Sequence, residues 1–281
     1  MPQTINTNLN SLNAQRNLNT SQMSLSVSMQ RLSSGLRVNS AKDDAAGLAI
    51  AERMNAQVKG MNVAARNAND GISLAQTAEG ALGKVSDALQ RMRELTVQAR
   101  NASNSSSDKD SLNKEFKQLS MEITRVLGAT TFNGKDILAS GAGALDFQIG
   151  ANTTANDLIT ISTANMLADA SITAVTGNTV SIGSDANSTA LKTVIDSIDG
   201  ALDKVNSERA VYGATQSRFD AIISNLQVAA ENQTAARSRI MDADFAAETA
   251  NLSRAQILQQ AGNAMVAQAN QLPQTVLKLL G

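Results

Sequence analysis

Two acidic pairs, Asp43 with Asp44 and Asp242 with Asp244, are the residues of this chain best placed by type and spacing for chemistry. Neighbouring carboxylates can hold a divalent metal or divide the roles of acid and base. Each pair also lies where a helix begins, and a carboxylate there caps the first turn and meets the positive end of the helix dipole, which is the simpler role. Arg237 and Arg239, with Arg254 further on, could bind an anion or belong to a solvated, salt-bridged helix face. Met54, Met61 and Met92 fall at buried helical spacing and read as packing rather than as ligands. No group completes a site around these residues. The chain has no His and no Cys, which removes the usual nucleophile and base pairs and nearly all zinc ligand sets. No catalytic, cofactor-binding or metal-binding residue is assigned, and the expectation is a protein that is not an enzyme and needs no cofactor.

A third group, Arg91, Leu95 and Gln98, is less easily reduced to a structural role. At 100° per residue its centre lies roughly 110° from the stripe of Leu89, Met92, Thr96 and Ala99. Either the buried face is wide there and shared with a third helix, or the flank is an interface.

The elements that carry these residues are helical. From Ser40, read as a helix start, a stripe runs through Ala51, Met54, Val58, Met61, Ala65, Ala68, Ile72, Ala75, Ala78, Leu82, Val85, Leu89, Met92, Thr96 and Ala99 in steps of three and four, with none of them charged. A helix of that span is about 70 Å long. Asn101 to Ser107 forms a turn, and Leu112, Phe116, Leu119, Ile123 and Val126 predict a helix doubling back. Between Gly128 and Ser188 the period changes. Leu145, Phe147 and Ile149 alternate, Leu158 to Ile161 is β-prone, and Asn133 with Gly134 forms a turn, so short hairpins are expected. The helical period resumes at Leu191, Ile195, Ile198, Leu202, Val205, Tyr212, Phe219, Ile223, Leu226 and Ala230, interrupted by Arg209 and Gln216.

Both ends carry heptads. Leu258, Met265, Leu272 and Leu279 are seven apart, with Ala255, Gly262, Ala269 and Val276 three before each. Leu18, Leu25 and Leu32 are likewise seven apart, with Gln15, Gln22, Met29 and Leu36 at the complementary positions. Apolar seams at both ends predict that the ends pack on each other, on other copies of the chain, or on both. Pro273 should kink or break the last helix. With five Phe, one Tyr and no Trp, the packing falls to Ala, Leu, Ile, Val and Met, as between close helices. The expected fold is mainly α, a long antiparallel helical rod with paired coiled-coil termini and a small β-hairpin region in the middle. A net charge of −1 with interspersed signs offers no basic surface for nucleic acid, and no apolar run is long enough for membrane insertion. The amino end has neither the basic nor the apolar stretch of a signal peptide.

Several segments carry a family resemblance. Ile5-Asn6-Thr7-Asn8, Gln30-Arg31-Leu32-Ser33-Ser34-Gly35-Leu36-Arg37, Ala41-Lys42-Asp43-Asp44-Ala45-Ala46-Gly47 and Gln90-Arg91-Met92-Arg93-Glu94-Leu95 match in the first half. Ala236-Arg237-Ser238-Arg239-Ile240, the run from Ser253-Arg254-Ala255 to Gln260-Ala261-Gly262, and Ala267-Gln268-Ala269-Asn270-Gln271 match in the second. In these segments the chain resembles bacterial flagellin, the filament subunit. The resemblance implies a structural protein that self-assembles into the flagellar filament for swimming motility. Residues 1–42 and 241–281 would be the two halves of a terminal coiled-coil core domain. Residues 43–176 and 189–240 would form an inner helical domain with its β-hairpin, and 177–188 a short remnant of a variable outer region. It also implies type III export of an unfolded or partly unfolded chain to the cell exterior. The partners it implies are further copies of the chain, the export apparatus, an export chaperone, and the filament cap and hook–filament junction proteins. The assembly seam is then expected at Leu18, Leu25, Met29, Leu32, Leu36, Leu258, Met265, Leu272, Val276 and Leu279. By the same resemblance a host Toll-like receptor would contact Arg91, Leu95, Gln98 and Glu115.

Overall fold

The computed structural model describes residues 7–280, with the side chains of 272–280 left aside. Six helices dominate: α1 (Leu9–Ser34), α2 (Ala45–Ala99), α3 (Ser106–Ala129), α4 (Ala170–Thr176), α5 (Ser188–Met241) and α6 (Phe245–Leu280). Two antiparallel hairpins lie between α3 and α4. β1 (Thr131–Phe132) pairs with β2 (Lys135–Asp136), and β3 (Ala144–Gln148) pairs with β4 (Leu158–Ser162). By contacts the chain divides into two compact units, Met1–Ala56 with Glu231–Gly281 and Gln57–Ala230. The division falls inside α2 and α5.

The helix ends follow local chemistry. The Asn8 side chain accepts from the Ser11 N–H, and α1 stops where Gly35 takes φ 72°, a left-handed conformation that glycine adopts freely. Ser105 and Asp108 form a reciprocal capping box at α3. One member of each acidic pair acts as a cap. Asp44 Oδ1 accepts from Gly47 N at 2.8 Å at the head of α2, and Asp244 Oδ1 accepts from Ala246 N and Ala247 N at the head of α6. Ser40 is not the helix start. Its N–H and hydroxyl donate to Asp43 Oδ2, closing a turn before α2, and the backbone N–H groups of Asn39 and Ser40 hold the Asp43 carboxyl below its usual pKa. Pro273 lies within α6, which continues to Leu280 rather than breaking there.

The Gln57–Ala230 unit has one apolar core. The α2 stripe from Ala68 to Ala99 turns inward, as do Leu191, Ile198, Val205, Tyr212 and Phe219 of α5 and Phe116, Ile123 and Leu127 of α3. Thr96, a hydroxyl in the buried stripe, is satisfied by donating to Met92 O at 2.8 Å. Helices approach closely where a residue is small: a Cβ on Gly71 would stand 2.8 Å from the Phe219 ring, and Phe219 meets Phe147 of β3 edge-on at 5.9 Å between centroids. Arg209 and Gln216, which interrupt the α5 stripe, both reach across to Glu79 of α2: Gln216 Nε2 donates at 2.9 Å and Arg209 Nη2 lies 3.9 Å away.

Within the middle region, Asn133 (φ 48°) and Gly134 (φ 75°) make the two-residue turn of the first hairpin, both in the positive-φ conformation of a type I′ turn. The second hairpin pairs Leu145 with Ile161 and Phe147 with Ile159, which puts the alternating apolar residues on the core. Only short hairpins were expected here, yet 170–176 is helical. Asp169 caps it, and Ile172 and Val175, three apart, bury one face. The residues after α4 are pinned to α3, since Asn113 Oδ1 accepts from Ile182 N and Asp110 Oδ1 from Ser184 N.

Tyr212, the chain's single tyrosine, is 1% exposed, and its hydroxyl makes no hydrogen bond of ordinary geometry. Burial, with the Glu208 charge adding to it, pushes its pKa up to about 12. Because the phenol is harder to ionise when folded, the stability it contributes is whole below pH 10 and is lost as pH rises from 10 through 12. The difference from the unfolded value corresponds to about 3 kcal/mol. Ultraviolet titration of this lone phenol is expected to give a native midpoint near 12 that falls to about 10 in denaturant. Tyr212→Phe should flatten the loss of stability over that interval.

Candidate assembly surface and the Arg91 flank

Helices α1 and α6 pair antiparallel. At one end Asn8 Nδ2 donates to Ala269 O and Ser11 Oγ to Asn270 Oδ1, both at 2.7 Å; at the other, Arg31 Nη1 meets Glu248 Oε1 at 3.0 Å. Between them Leu18 lies against Gly262, where a Cβ would stand only 3.1 Å from Leu18 Cδ1. The less exposed row on α1 is Ser11, Ala14, Leu18, Ser21, Leu25, Ser28 and Leu32, and on α6 it is Glu248, Leu252, Ala255, Gln259, Gly262, Val266 and Ala269. Both rows step by three and four, the spacing of a two-stranded coiled coil.

The heptad residues therefore divide between this contact and the outside of the pair. Leu18, Leu25 and Leu32 face α6, and Ala255, Gly262 and Ala269 face α1. The complementary positions on α1 are Ala14, Ser21 and Ser28, not Gln15, Gln22 and Met29, which are exposed. On α6 they are Leu252, Gln259 and Val266, not Leu258 and Met265, which are 50% and 59% exposed. Leu36 lies past the end of α1. It packs instead with Val38, Leu48, Ala51, Ile240 and Met241, and its backbone bridges to Asp242. The expected seam residues Leu272, Val276 and Leu279 belong to α6, but their side chains lie outside the described residues.

The side chains buried between the two helices, Ser11, Ser28, Glu248, Ala255 and Ala269, are small or polar, with Leu18, Leu25, Leu32, Leu252 and Val266 half-buried among them, and further apolar side chains lie outside this contact. Leu9, Leu12, Met23 and Val27 are exposed, and at 100° per residue they fall about 140–180° from the centre of the α1 row that meets α6. On α6 Ile257 is exposed on the side away from α1, and Leu258 and Met265 are exposed on a flank, roughly 70–90° from the row that meets α1. Sequence reasoning missed the Arg31–Glu248 pair, whose carboxylate is nearly buried. The signal was available: the heptad of Ala255, Gly262 and Ala269, continued back by seven, lands on Glu248.

The Arg91 flank belongs to the second unit. Arg91 Nε donates to Glu115 Oε1 of α3 and Nη1 to Glu94 Oε2, each at 2.9 Å, and these bonds, the Glu115 one foremost, hold the guanidinium above its ordinary pKa. Arg91, Gln98 and Glu115 are exposed, and the Gln98 carbonyl accepts from Asn104 Nδ2 at 2.6 Å. Leu95 is not at the surface. At 0% exposure it belongs to the core, because the buried face of α2 is wide enough here to meet α3 as well as α5. Beside Gln98 a shallow depression is lined by Gln90, Arg93, Glu94 and Val97, and Arg93 is held by both oxygens of Asp199 at 2.6 and 3.3 Å. Such a surface can offer charged, forked hydrogen bonding to a partner. It contains no nucleophile with a base beside it, and among the described residues no three side chains gather that could hold a metal ion.

The chain has clear relatives. The bacterial flagellin N-terminal helical region matches residues 5–142, and the C-terminal helical region matches residues 195–280. A flagellin of Halalkalibacterium halodurans is 46% identical over 276 residues, covering 98% of this chain and 99% of that one. A flagellin of Xenorhabdus nematophila is 45% identical with both chains covered in full. One from Serratia marcescens is 43% identical, again with both covered in full, over 351 aligned positions against 281 residues here, so that relative carries additional residues. Matches at both helical ends and along the whole length show that this chain belongs to the bacterial flagellins, as a structural subunit of the flagellar filament rather than an enzyme.

Proposed function

We propose that the subunit polymerises through the outward apolar stripes of its terminal helices, Leu9, Leu12, Met23 and Val27 on α1 and Ile257, Leu258 and Met265 on α6. The observation that carries this reading is that these seven large apolar side chains stay exposed on helices that are already paired with each other. Exposed apolar side chains concentrated on two paired helices mark a surface meant to be covered. Leu272 and Leu279 continue the heptad of Leu258 and Met265, Val276 continues that of Ala255, Gly262 and Ala269, and all three are included in the proposed assembly seam. In the same reading the chain leaves the cell through the flagellar export apparatus with an export chaperone. It then adds at the growing end beneath a cap protein, and the filament it builds joins the hook through junction proteins. The cell exterior is its working place. Family membership supports these partners and this location.

Because the chain has no cysteine, Leu12→Cys and Leu258→Cys each introduce a single thiol. Maleimide labelling is expected to be fast in the free subunit, several-fold slower in the filament, and fast again after heat depolymerisation. Equal rates in both states at both positions overturn the proposed surface.

A second surface, Arg91 with Gln98 and Glu115, is proposed as the contact for a host Toll-like receptor. Leu95 supports it from the core rather than touching the receptor. An exposed guanidinium held between two carboxylates favours this reading, since its fork is already oriented. Arg91→Ala is expected to lower the potency of monomer in a receptor-reporter assay by roughly tenfold, the range of a binding hot spot. Circular dichroism would verify that helicity is kept. Parent-like signalling by Arg91→Ala and Gln98→Ala removes the site.

A further inference from the structure

We infer that Met23, Met29 and Met265 form a peroxide-sensitive modification site on the free subunit, whose oxidation blocks addition to the filament. The inference rests on the assembly surface proposed above, which contains Met23 and Met265; Met29 is exposed on the same helix as Met23, at the edge of that surface. Apart from the half-buried Met54, the described methionines fall into two classes. Met92 and Met166 are fully buried, and Met61 and Met241 nearly so; they fill the cores of the two units. Met23, Met29 and Met265 are 64%, 55% and 59% exposed, all on the paired terminal helices, and on α3 Met121 is exposed to a similar degree. With no cysteine in the chain, these thioethers are its most readily oxidised exposed groups.

The chemistry needs only hydrogen peroxide. A sulfur lone pair attacks one peroxide oxygen, the O–O bond breaks, and the departing hydroxide takes a proton to become water. The thioether becomes a sulfoxide, oxidised by two electrons while the peroxide is reduced by two. The product is polar and branched where the parent was apolar and flexible. In the free subunit this change is harmless, because each sulfur already faces water. At the assembly surface the sulfoxide would be desolvated without a partner, and that opposes addition. Once packed in the filament, the same sulfurs are shielded. The modification would therefore act on subunits before they add, and a thiol-dependent methionine sulfoxide reductase would reverse it.

The test treats the full-length free subunit with hydrogen peroxide, maps oxidised peptides by mass spectrometry and measures seeded elongation. Oxidation is expected at Met23, Met29, Met121 and Met265, with Met61, Met92, Met166 and Met241 spared. Elongation should slow by roughly tenfold or more, a modest loss of contact free energy, and recover after reductase treatment. The triple variant Met23→Leu, Met29→Leu and Met265→Leu should elongate equally well before and after peroxide. Elongation by verified oxidised parent at the untreated rate overturns the inference, as does equal inhibition of parent and triple variant. Should the triple variant fail to elongate untreated, reductase decides: recovery of the parent supports the site and lack of recovery overturns it. Leu258→Asp separates the two levels. If that variant elongates normally, the assembly surface itself is wrong; if it is blocked while oxidised parent grows, only the methionine inference falls.

Discussion

Leu258→Asp leaves the isolated subunit folded and stops filament growth. Leu258 is half exposed on the side of α6 that does not meet α1, so a charge there faces water in the free chain. Far-ultraviolet circular dichroism and thermal unfolding of the monomer should match the parent to within about 0.5 kcal/mol, as for surface substitutions generally. In the filament the same carboxylate would be desolvated without a partner, a penalty of about 3–5 kcal/mol. Each 1.4 kcal/mol is tenfold in an association constant, so the critical concentration for seeded growth should rise by roughly 100-fold or more. Parent-like growth in turbidity and electron microscopy would show that the outward α6 stripe is not an assembly surface. Ala255→Asp is the contrasting variant, since Ala255 is buried against α1; it should already disturb the helix pair in the monomer.

Phe219→Ala should unfold the inner unit most readily among single core truncations. The ring is fully buried, sits edge-on to Phe147, and occupies the space left by the missing side chain of Gly71. Removing it takes away the aromatic pair and leaves a cavity that the two backbones cannot close, for a loss of about 3–5 kcal/mol. Gly71→Ala places a Cβ 2.8 Å from the same ring and should destabilise by about 1–3 kcal/mol through overpacking. The double variant is the sharper measurement. If the two residues share one space, Gly71→Ala becomes neutral or stabilising in the Phe219→Ala background, whereas additive losses in urea or thermal unfolding would show that they act independently.

Much of this arrangement is legible without coordinates, for identifiable reasons. The long stripes of α2 and α5 are legible because, where a helix keeps one side away from water, burial repeats every three or four residues. Asn133-Gly134 reads as a tight turn because few residue pairs accept two successive positive φ angles. The acidic pairs read as caps because a carboxylate at a helix start satisfies free N–H groups. The terminal segments, from Gln30 to Arg37 and from Ser253 to Gly262, are distinctive enough to carry the family.

Tertiary structure decided what each apolar stripe faces. Periodicity tells which residues avoid water but not which neighbour covers them, and α1 and α6 each carry two overlapping rows. The heptads left open whether Met29, Leu258 and Met265 face the partner helix or another copy. The helices meet through Ser28, Ala255 and Gly262 beside Leu18 and Leu25, because small residues let the backbones approach, while Met29, Leu258 and Met265 stay exposed. Leu95 was ambiguous for the same reason: only the placement of α3 beside α2 makes its flank interior while Arg91, one turn earlier, stays outside. Arg31 and Glu248 are 217 positions apart, and nothing local joins them until α1 and α6 pair. The helix at 170–176 is too short to show its period among loop residues, and it forms because α3 offers its apolar face a surface to cover.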